Sequence, residues 1–165
     1  MADDKIYNVL FLCTQNSARS IFGEVILNHL GRSRFQAFSA GSMPAAAPNR
    51  YALQTLKHLR FPTEGLRSKD WNEFAQPDVP VMDFVITVCD KAAGEVCPVW
   101  PGQPITAHWG IEDPSQFTGS EAETLREFGR VATTLRRRIE LFISLPFAKL
   151  DRLMLQRKVM DIGKE

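Results

Sequence analysis

Apolar residues along this chain fall into short continuous runs that alternate with stripes recurring at steps of three and four. Ile6 to Leu12 is a nearly continuous apolar run, the pattern of a central parallel strand buried on both faces. From Ser17 to Leu30, the residues Ile21, Phe22, Val25, Ile26 and Leu30 share one side, which predicts an amphipathic helix ended by Gly31. Phe35 to Ala40 predicts a second strand, followed by the turn-like Gly41-Ser42-Met43-Pro44. Pro48 suits the first turn of a helix reaching about Leu59, with Tyr51, Leu53, Leu56 and Leu59 as its apolar positions. Residues 60–82 hold three prolines and mixed polarity, so they read as loop with a short helix near Trp71 to Phe74. Asp83 to Val88 predicts a third buried strand with Cys89 at its C-terminal end. Ala92 to Gly102 is rich in glycine and proline and reads as loop. Ile105 to Trp109 predicts a last strand that leads into Gly110-Ile111-Glu112-Asp113-Pro114.

The clearest helix begins at Ser120, which forms a capping box with Glu123. Leu125, Phe128, Ala132, Leu135, Ile139 and Phe142 then make a core-facing stripe as far as Ser144. Arg136, Arg137 and Arg138 lie off that stripe and read as a solvated face. Past Pro146, the residues Phe147, Leu150, Leu153, Met154 and Met160 suggest a further amphipathic helix. It can pack on the domain, support a dimer, or lie loosely outside. Four strands joined right-handedly through helices give an α/β fold, a parallel sheet with helices on both faces. Ligands in such sheets bind at the C-terminal strand ends, and Cys13, Cys89 and Asp113 all follow predicted strands.

At 165 residues the chain is one domain by length. A net charge of +1 leaves no basic footprint for nucleic acid. No apolar run reaches the length of a membrane span and Met-Ala-Asp-Asp-Lys lacks a signal-like core, so no membrane association and a cytoplasmic location are expected. Three cysteines argue against a disulfide framework and suit transient chemistry in a reducing compartment. His29, His58 and His108 have no metal-like spacing with the cysteines, so no metal site is expected, and His108 reads as a supporting or core residue.

The strand-to-helix junction carries the strongest chemical signal. Cys13-Thr14-Gln15-Asn16-Ser17-Ala18-Arg19-Ser20 places a cysteine and an arginine around a five-residue loop that closes on a helix N-terminus. Such a loop can turn successive amides toward one point, where they and the helix dipole favour a doubly charged anion. Arg19 adds a planar fork of donors matched to two oxygens of a phosphate-like group. The same field is expected to lower the pKa of Cys13 and make its thiolate nucleophilic. Asn16 tolerates a left-handed backbone, and Ser17 and Ser20 can donate to the sulfur or cap the helix. The competing assignment is a buried cysteine behind an ordinary cap. The loop matches no glycine-rich nucleotide-binding pattern. Asp113-Pro114 is by itself a common turn dipeptide. After the last strand, however, Asp113 can act as the acid that protonates a leaving oxygen. Cys89 and Cys97, with seven residues between them across a glycine-containing segment, can reach each other and Cys13 in turn.

Cys13 to Ser20 resembles the active-site loop of the low-molecular-weight protein tyrosine phosphatases. Its wording, Cys-Thr-x-Asn-Ser-Ala-Arg-Ser, is more similar to that of their arsenate reductase relatives. The similarity runs over roughly residues 5–145. It implies a three-layer α-β-α domain over residues 1–145, with a four-stranded parallel sheet in flavodoxin-like winding, and a C-terminal helical extension over 146–165. It also implies an oxyanion cradle of Thr14, Gln15, Asn16, Ser17, Ala18, Arg19 and Ser20, with Asp113 as general acid. In the thioredoxin-coupled reductases, attack of the nucleophilic thiolate on arsenate is followed by a relay. By resemblance, Cys89 would attack Cys13, arsenite would leave, and Cys97 would resolve the disulfide for an external thiol. The spacing of Cys89 and Cys97 is one residue longer than in that group. A glutathione and glutaredoxin route, with Cys97 structural or auxiliary, therefore stays open beside the thioredoxin route. No bound cofactor is implied, and a monomer or weak dimer is expected. The phosphotyrosine-specific members follow their Asp-Pro with tyrosines, whereas Ser115, Gln116 and Phe117 stand here. That favours arsenate, a small inorganic oxyanion, over a phosphotyrosine. Two alternatives remain: hydrolysis of phosphate monoesters through a Cys13 phosphocysteine, and a non-catalytic oxyanion-binding module.

Overall fold

A computed structural model describes residues 5–89 and 99–165. Four parallel strands, β1 (Tyr7–Cys13), β2 (Phe35–Gly41), β3 (Phe84–Thr87) and β4 (Ile105–His108), form one sheet in the order β2-β1-β3-β4. Helices α1 (Arg19–Leu30), α2 (Arg50–His58), α3 (Glu121–Ile143) and α4 (Arg152–Ile162) complete the described regular structure, with short 3₁₀ turns at Trp71–Phe74, Pro114–Gln116 and Phe147–Lys149. This is the expected α/β architecture, and the strand boundaries fall within one or two residues of those predicted. Most of the predicted 92–102 loop lies outside the described residues.

The β1 run is apolar because both of its faces are covered. Val9 and Phe11 point into a large core with Ile21, Phe22, Phe84, Phe128 and Phe142, while Leu10 and Leu12 pack on the opposite face with Trp71, Phe74 and Trp100. Full burial of each such side chain contributes about 1.5–3 kcal/mol of hydrophobic stabilisation. Phe35, Phe84, Trp109, Phe142 and Phe147 meet edge to face or tilted, with ring centroids 5.1–5.9 Å apart. Because β2 lies on one side of β1 and β3 on the other, the chain reverses its direction of winding between them. The crevice of this reversal opens above Cys13, at the end of β1, and Cys89, just beyond β3.

Several sequence expectations need correction. Helix α2 begins at Arg50 rather than at Pro48, because the Asn49 side chain caps it by accepting from the amides of Tyr51 and Ala52. Arg136 and Arg137 are exposed as expected, but Arg138 is only 7% exposed and is not on a solvated face. The apolar face of the last helix is also different. Leu155, Val159 and Ile162 are buried, whereas Leu153, Met154 and Met160 are exposed. The helix turns this way because the Trp109 indole Nε1 donates to the Val159 carbonyl at 2.8 Å, docking α4 against the end of β4.

The Ser120–Glu123 capping box is present in both directions, at 3.1 Å and 3.0 Å. Ser120→Ala removes the acceptor for the Glu123 amide at an exposed position. The unfolding free energy is expected to fall by about 1 kcal/mol, read as a lower urea midpoint with an unchanged slope. An unchanged midpoint would contradict the capping assignment.

Candidate active site

The loop after β1 is shaped by where its carbonyls go. Thr14 O accepts from the Met43 amide at 2.8 Å, Gln15 O from Ala45 at 2.9 Å, Ser17 O from Asn49 at 2.9 Å and Ala18 O from Phe22 at 2.8 Å. Asn16 O accepts from the Ser68 hydroxyl at 2.6 Å. Every carbonyl from residue 14 to 18 is therefore engaged by a donor outside the cleft. Among the described residues, the amides of Gln15, Ser17, Ala18 and Arg19 meet no acceptor. Among the described long helices, α1 alone has neither a side-chain cap nor an acidic residue in its first turn, its N-cap being Ala18. Asn49, Ser120 and Asp151 cap the other three. The first-turn amides and the helix dipole of α1 are thus left to an anion.

Asn16 has φ 50° and is fully buried, as its ability to adopt the left-handed region suggested. Its side chain donates to Ser20 Oγ at 2.8 Å and accepts from the Lys69 amide at 2.8 Å. Ser20 Oγ also lies 2.8 Å from Cys13 Sγ, and once that sulfur is a thiolate the Ser20 hydroxyl is the donor of the bond. The Asn16 amide also donates to the sulfur, at 3.1 Å. Ser17 lines the cleft instead and neither caps α1 nor bonds Cys13. Gly41, at the end of β2, permits this arrangement by close approach, since a Cβ there would lie 2.3 Å from Thr14 O. Ser68 and Lys69 anchor the loop through Asn16, while Arg67 is exposed and paired with Glu73 at 2.7 Å. Lys69 is buried beside Glu24, and its own ammonium donates to Arg67 O at 2.7 Å.

A cleft of about 380 Å³ is lined by Cys13, Thr14, Gln15, Ser17, Ala18, Arg19, Cys89, Ile111, Glu112, Asp113 and Gln116. It brings together the ends of β1, β3 and β4, as the topology required. Asn16 and Ser20 stand behind the lining and hold the loop and the sulfur. Arg19 Nη1 donates to Ile111 O at 3.1 Å, and Nη2 lies 3.4 Å from Asp113 Oδ2. The other oxygen of Asp113 accepts from the amide and hydroxyl of Ser115, at 3.0 Å and 2.7 Å, with Pro114 starting the turn. Thr14 Oγ1 lies 3.5 Å from Cys89 Sγ. Cys97 lies outside the described residues. His108 is exposed and bonded to the Thr87 hydroxyl at 2.8 Å, so it is neither core nor part of the lining. No cluster of metal-ligating side chains occurs among the described residues, and no described helix is long and apolar enough to cross a membrane.

Burial pushes the Cys13 thiol above its ordinary pKa. The Ser20 hydroxyl and amide and the Arg19 charge pull it back without cancelling the rise, and Cys89 adds to it. The lowered thiol expected from the sequence is therefore not found, because desolvation at 3% exposure outweighs the donors. The thiolate fraction, and with it alkylation of Cys13, is expected to keep rising with pH above neutrality. In a Cys89→Ser, Cys97→Ser background, Ser20→Ala removes a donor to the anion and should move the alkylation midpoint to still higher pH. An unmoved or lower midpoint would contradict the role assigned to that hydroxyl.

The family model of the low molecular weight phosphotyrosine protein phosphatases matches residues 8–155. An arsenate reductase of Bacillus licheniformis is 33% identical over 136 residues, covering 81% of this chain and 93% of that protein. An arsenate reductase of Halalkalibacterium halodurans is 31% identical over 134 residues, with the same coverage of 81% and 93%. Among solved structures, an arsenate reductase in the phosphate binding state superposes with a TM-score of 0.69 at 25% identity, over 84% of this chain and 97% of that one. A thioredoxin-dependent arsenate reductase of Corynebacterium glutamicum gives a TM-score of 0.55 at 25% identity, over 83% of this chain and 63% of that one. A cysteine and arginine on an amide-lined loop, under the match of almost the whole chain, place this protein in the low molecular weight phosphotyrosine protein phosphatase family.

Proposed function

We propose that this protein reduces arsenate to arsenite, with Cys13 as nucleophile and Cys89 as the thiol that completes the reduction. One observation carries the choice of reduction over hydrolysis. Cys89 and Cys13 line the same cleft, and Thr14, the residue next to Cys13, contacts the Cys89 sulfur at 3.5 Å. A phosphatase needs no second thiol there. The aryl phosphate alternative also lacks a ring-binding wall, since no aromatic residue is among the described residues lining the cleft. Tyr7 and Tyr51 instead pack against Phe147 and Phe128. The names of the relatives above support the same substrate.

In this scheme the amides of the loop and the Arg19 guanidinium hold the arsenate dianion. The Cys13 thiolate attacks arsenic, one oxygen leaves, and Asp113 supplies the proton that makes it water. The Cys89 thiolate then attacks Cys13 Sγ. The electron pair of the S–As bond passes to arsenic, As(V) becomes As(III), arsenite leaves, and a Cys13–Cys89 disulfide remains. Cys97 attacks Cys89, releasing the Cys13 thiolate and leaving Cys89–Cys97. An external thiol reductant, thioredoxin or two equivalents of glutathione with glutaredoxin, returns two electrons and two protons. The resemblance to a thioredoxin-dependent enzyme supports the first of these partners. Such thiol chemistry suits a reducing compartment such as the cytoplasm. Residues 1–145 are proposed as the reductase domain and residues 146–165 as its extension.

The test is arsenate-dependent NADPH oxidation with each reductant system, alongside hydrolysis of an aryl phosphate. Cys13→Ser is expected to lower both activities by about a thousandfold or more. Cys89→Ser should abolish arsenate turnover and leave any aryl phosphate hydrolysis largely intact. Arsenate turnover at the wild-type rate in Cys89→Ser would sink the relay. Selective loss of the thioredoxin route in Cys97→Ser would identify Cys97 as the resolving thiol.

A further inference from the structure

Arg138 is buried on the core side of α3, and no Asp or Glu side chain among the described residues pairs with it. Its two terminal nitrogens donate to main-chain oxygens. Nη1 donates to Trp109 O and Gly110 O, each at 3.2 Å, and Nη2 donates to Glu165 O at 3.2 Å. Desolvation pulls its charge below the ordinary arginine range, a cost that surface packing alone does not explain. Trp109 and Gly110 are the two residues that join β4 to the acid loop. From there the chain is tied at Trp109 and Ile111, with Trp109 N donating to Thr87 O at 2.7 Å, Ile111 N to Val88 O at 3.2 Å, and Ile111 O accepting from Arg19. Two residues after Ile111 comes Asp113, facing Arg19.

The C-terminal segment braces the same point from its other side. Val159 O takes the Trp109 indole proton, and Gly163 sits so close to His108 that a Cβ would lie 2.4 Å from His108 O. We infer that Arg138 and the extension it holds, residues 146–165, form a positioning device for the acid loop, setting where Asp113 stands relative to Arg19 and the loop after β1. Arg138 is a positioning residue, not a catalytic one, since it does not line the cleft. The inference rests on the acid role proposed above for Asp113. It assigns to the extension a part in the reaction that a dimer contact or a loose tail would not have.

The test is a double-mutant cycle between Arg138→Met and Asp113→Ala, read by single-turnover arsenite formation in the full-length protein. Alone, Arg138→Met is expected to lower the rate constant at saturating arsenate by about ten- to a hundredfold, the effect of a misplaced group. The half-saturating arsenate concentration should change far less than the rate constant, since the loop amides of residues 14–18 are untouched and only Arg19 contacts the acid loop. In the Asp113→Ala background, Arg138→Met should cause no further loss, because the group it positions is gone. Equal losses in both backgrounds, with Asp113→Ala itself impaired, would overturn this inference and leave the acid role standing. If Asp113→Ala leaves the rate unchanged, the acid role fails and the inference with it. Gly163→Ala, which presses the extension away from His108 without removing a buried charge, provides the same cycle should Arg138→Met not fold. It is expected to give a smaller loss that Asp113→Ala likewise abolishes, and additivity there overturns the inference equally.

Discussion

The site depends on the outward capture of five consecutive carbonyls. Backbone groups left unpaired in a buried loop are costly, so the direction in which a loop turns is set by the donors that surround it. Here the amides of Met43, Ala45 and Asn49, the Ser68 hydroxyl and the first turn of α1 take the carbonyls of residues 14–18. The amides are then free to converge where negative charge is to be bound. Asn16 makes the reversal with a positive φ and ties it to Ser20 and Lys69. Gly41 leaves room for the loop to pass. Anion affinity is thereby built into the fold through backbone geometry, with Arg19 as the one cationic side chain among the described residues of the lining.

That cradle is attached to moving parts of the chemistry by the order of the strands. Because β1 and β3 are neighbours at the point where the winding reverses, Cys13 and Cys89 face one cleft without any long-range distortion. Because β4 lies next to β3, the loop that follows it closes the same cleft and puts Asp113 against Arg19. Arg19 consequently links the oxyanion cradle to the acid loop. Its two nitrogens hold Ile111 O and Asp113, so in the proposed reaction substrate capture and acid placement would share one side chain. The raised Cys13 thiol fits this economy of contacts, since burial keeps the sulfur packed and the Ser20 proton and Arg19 act against that burial.

Much of this was legible in the residues because local patterns and chemistry agreed. The continuous apolar run before Cys13, the capping box at Ser120, and Asp-Pro after the last strand each carry a mechanism at short range. What stayed hidden are long-range partnerships. Ser68 and Lys69 act through Asn16, more than fifty positions away, and nothing in their own neighbourhood distinguishes them from surface polar residues. Gly41 resembles any turn glycine until the Thr14 carbonyl is set against it. Arg138 sits in a run of three arginines that looks solvated, and only its bonds to Trp109 and Gly110 reveal it as interior. The last helix misled for the same reason, since Val159 is chosen as the inward face by an indole fifty residues upstream. The thiol direction failed because periodicity shows where a sulfur lies but not how completely it is desolvated.

In the proposed reaction, two sulfurs in one cleft convert a bound arsenate into arsenite and a disulfide. Rapid-quench mass spectrometry of the fully reduced Cys97→Ser protein, mixed with arsenate and no external thiol, tests it most directly. One arsenite is expected to be released per chain, together with a peptide pair cross-linked through Cys13 and Cys89. Release of arsenite without that cross-link, or a cross-link that forms equally well without arsenate, would contradict it.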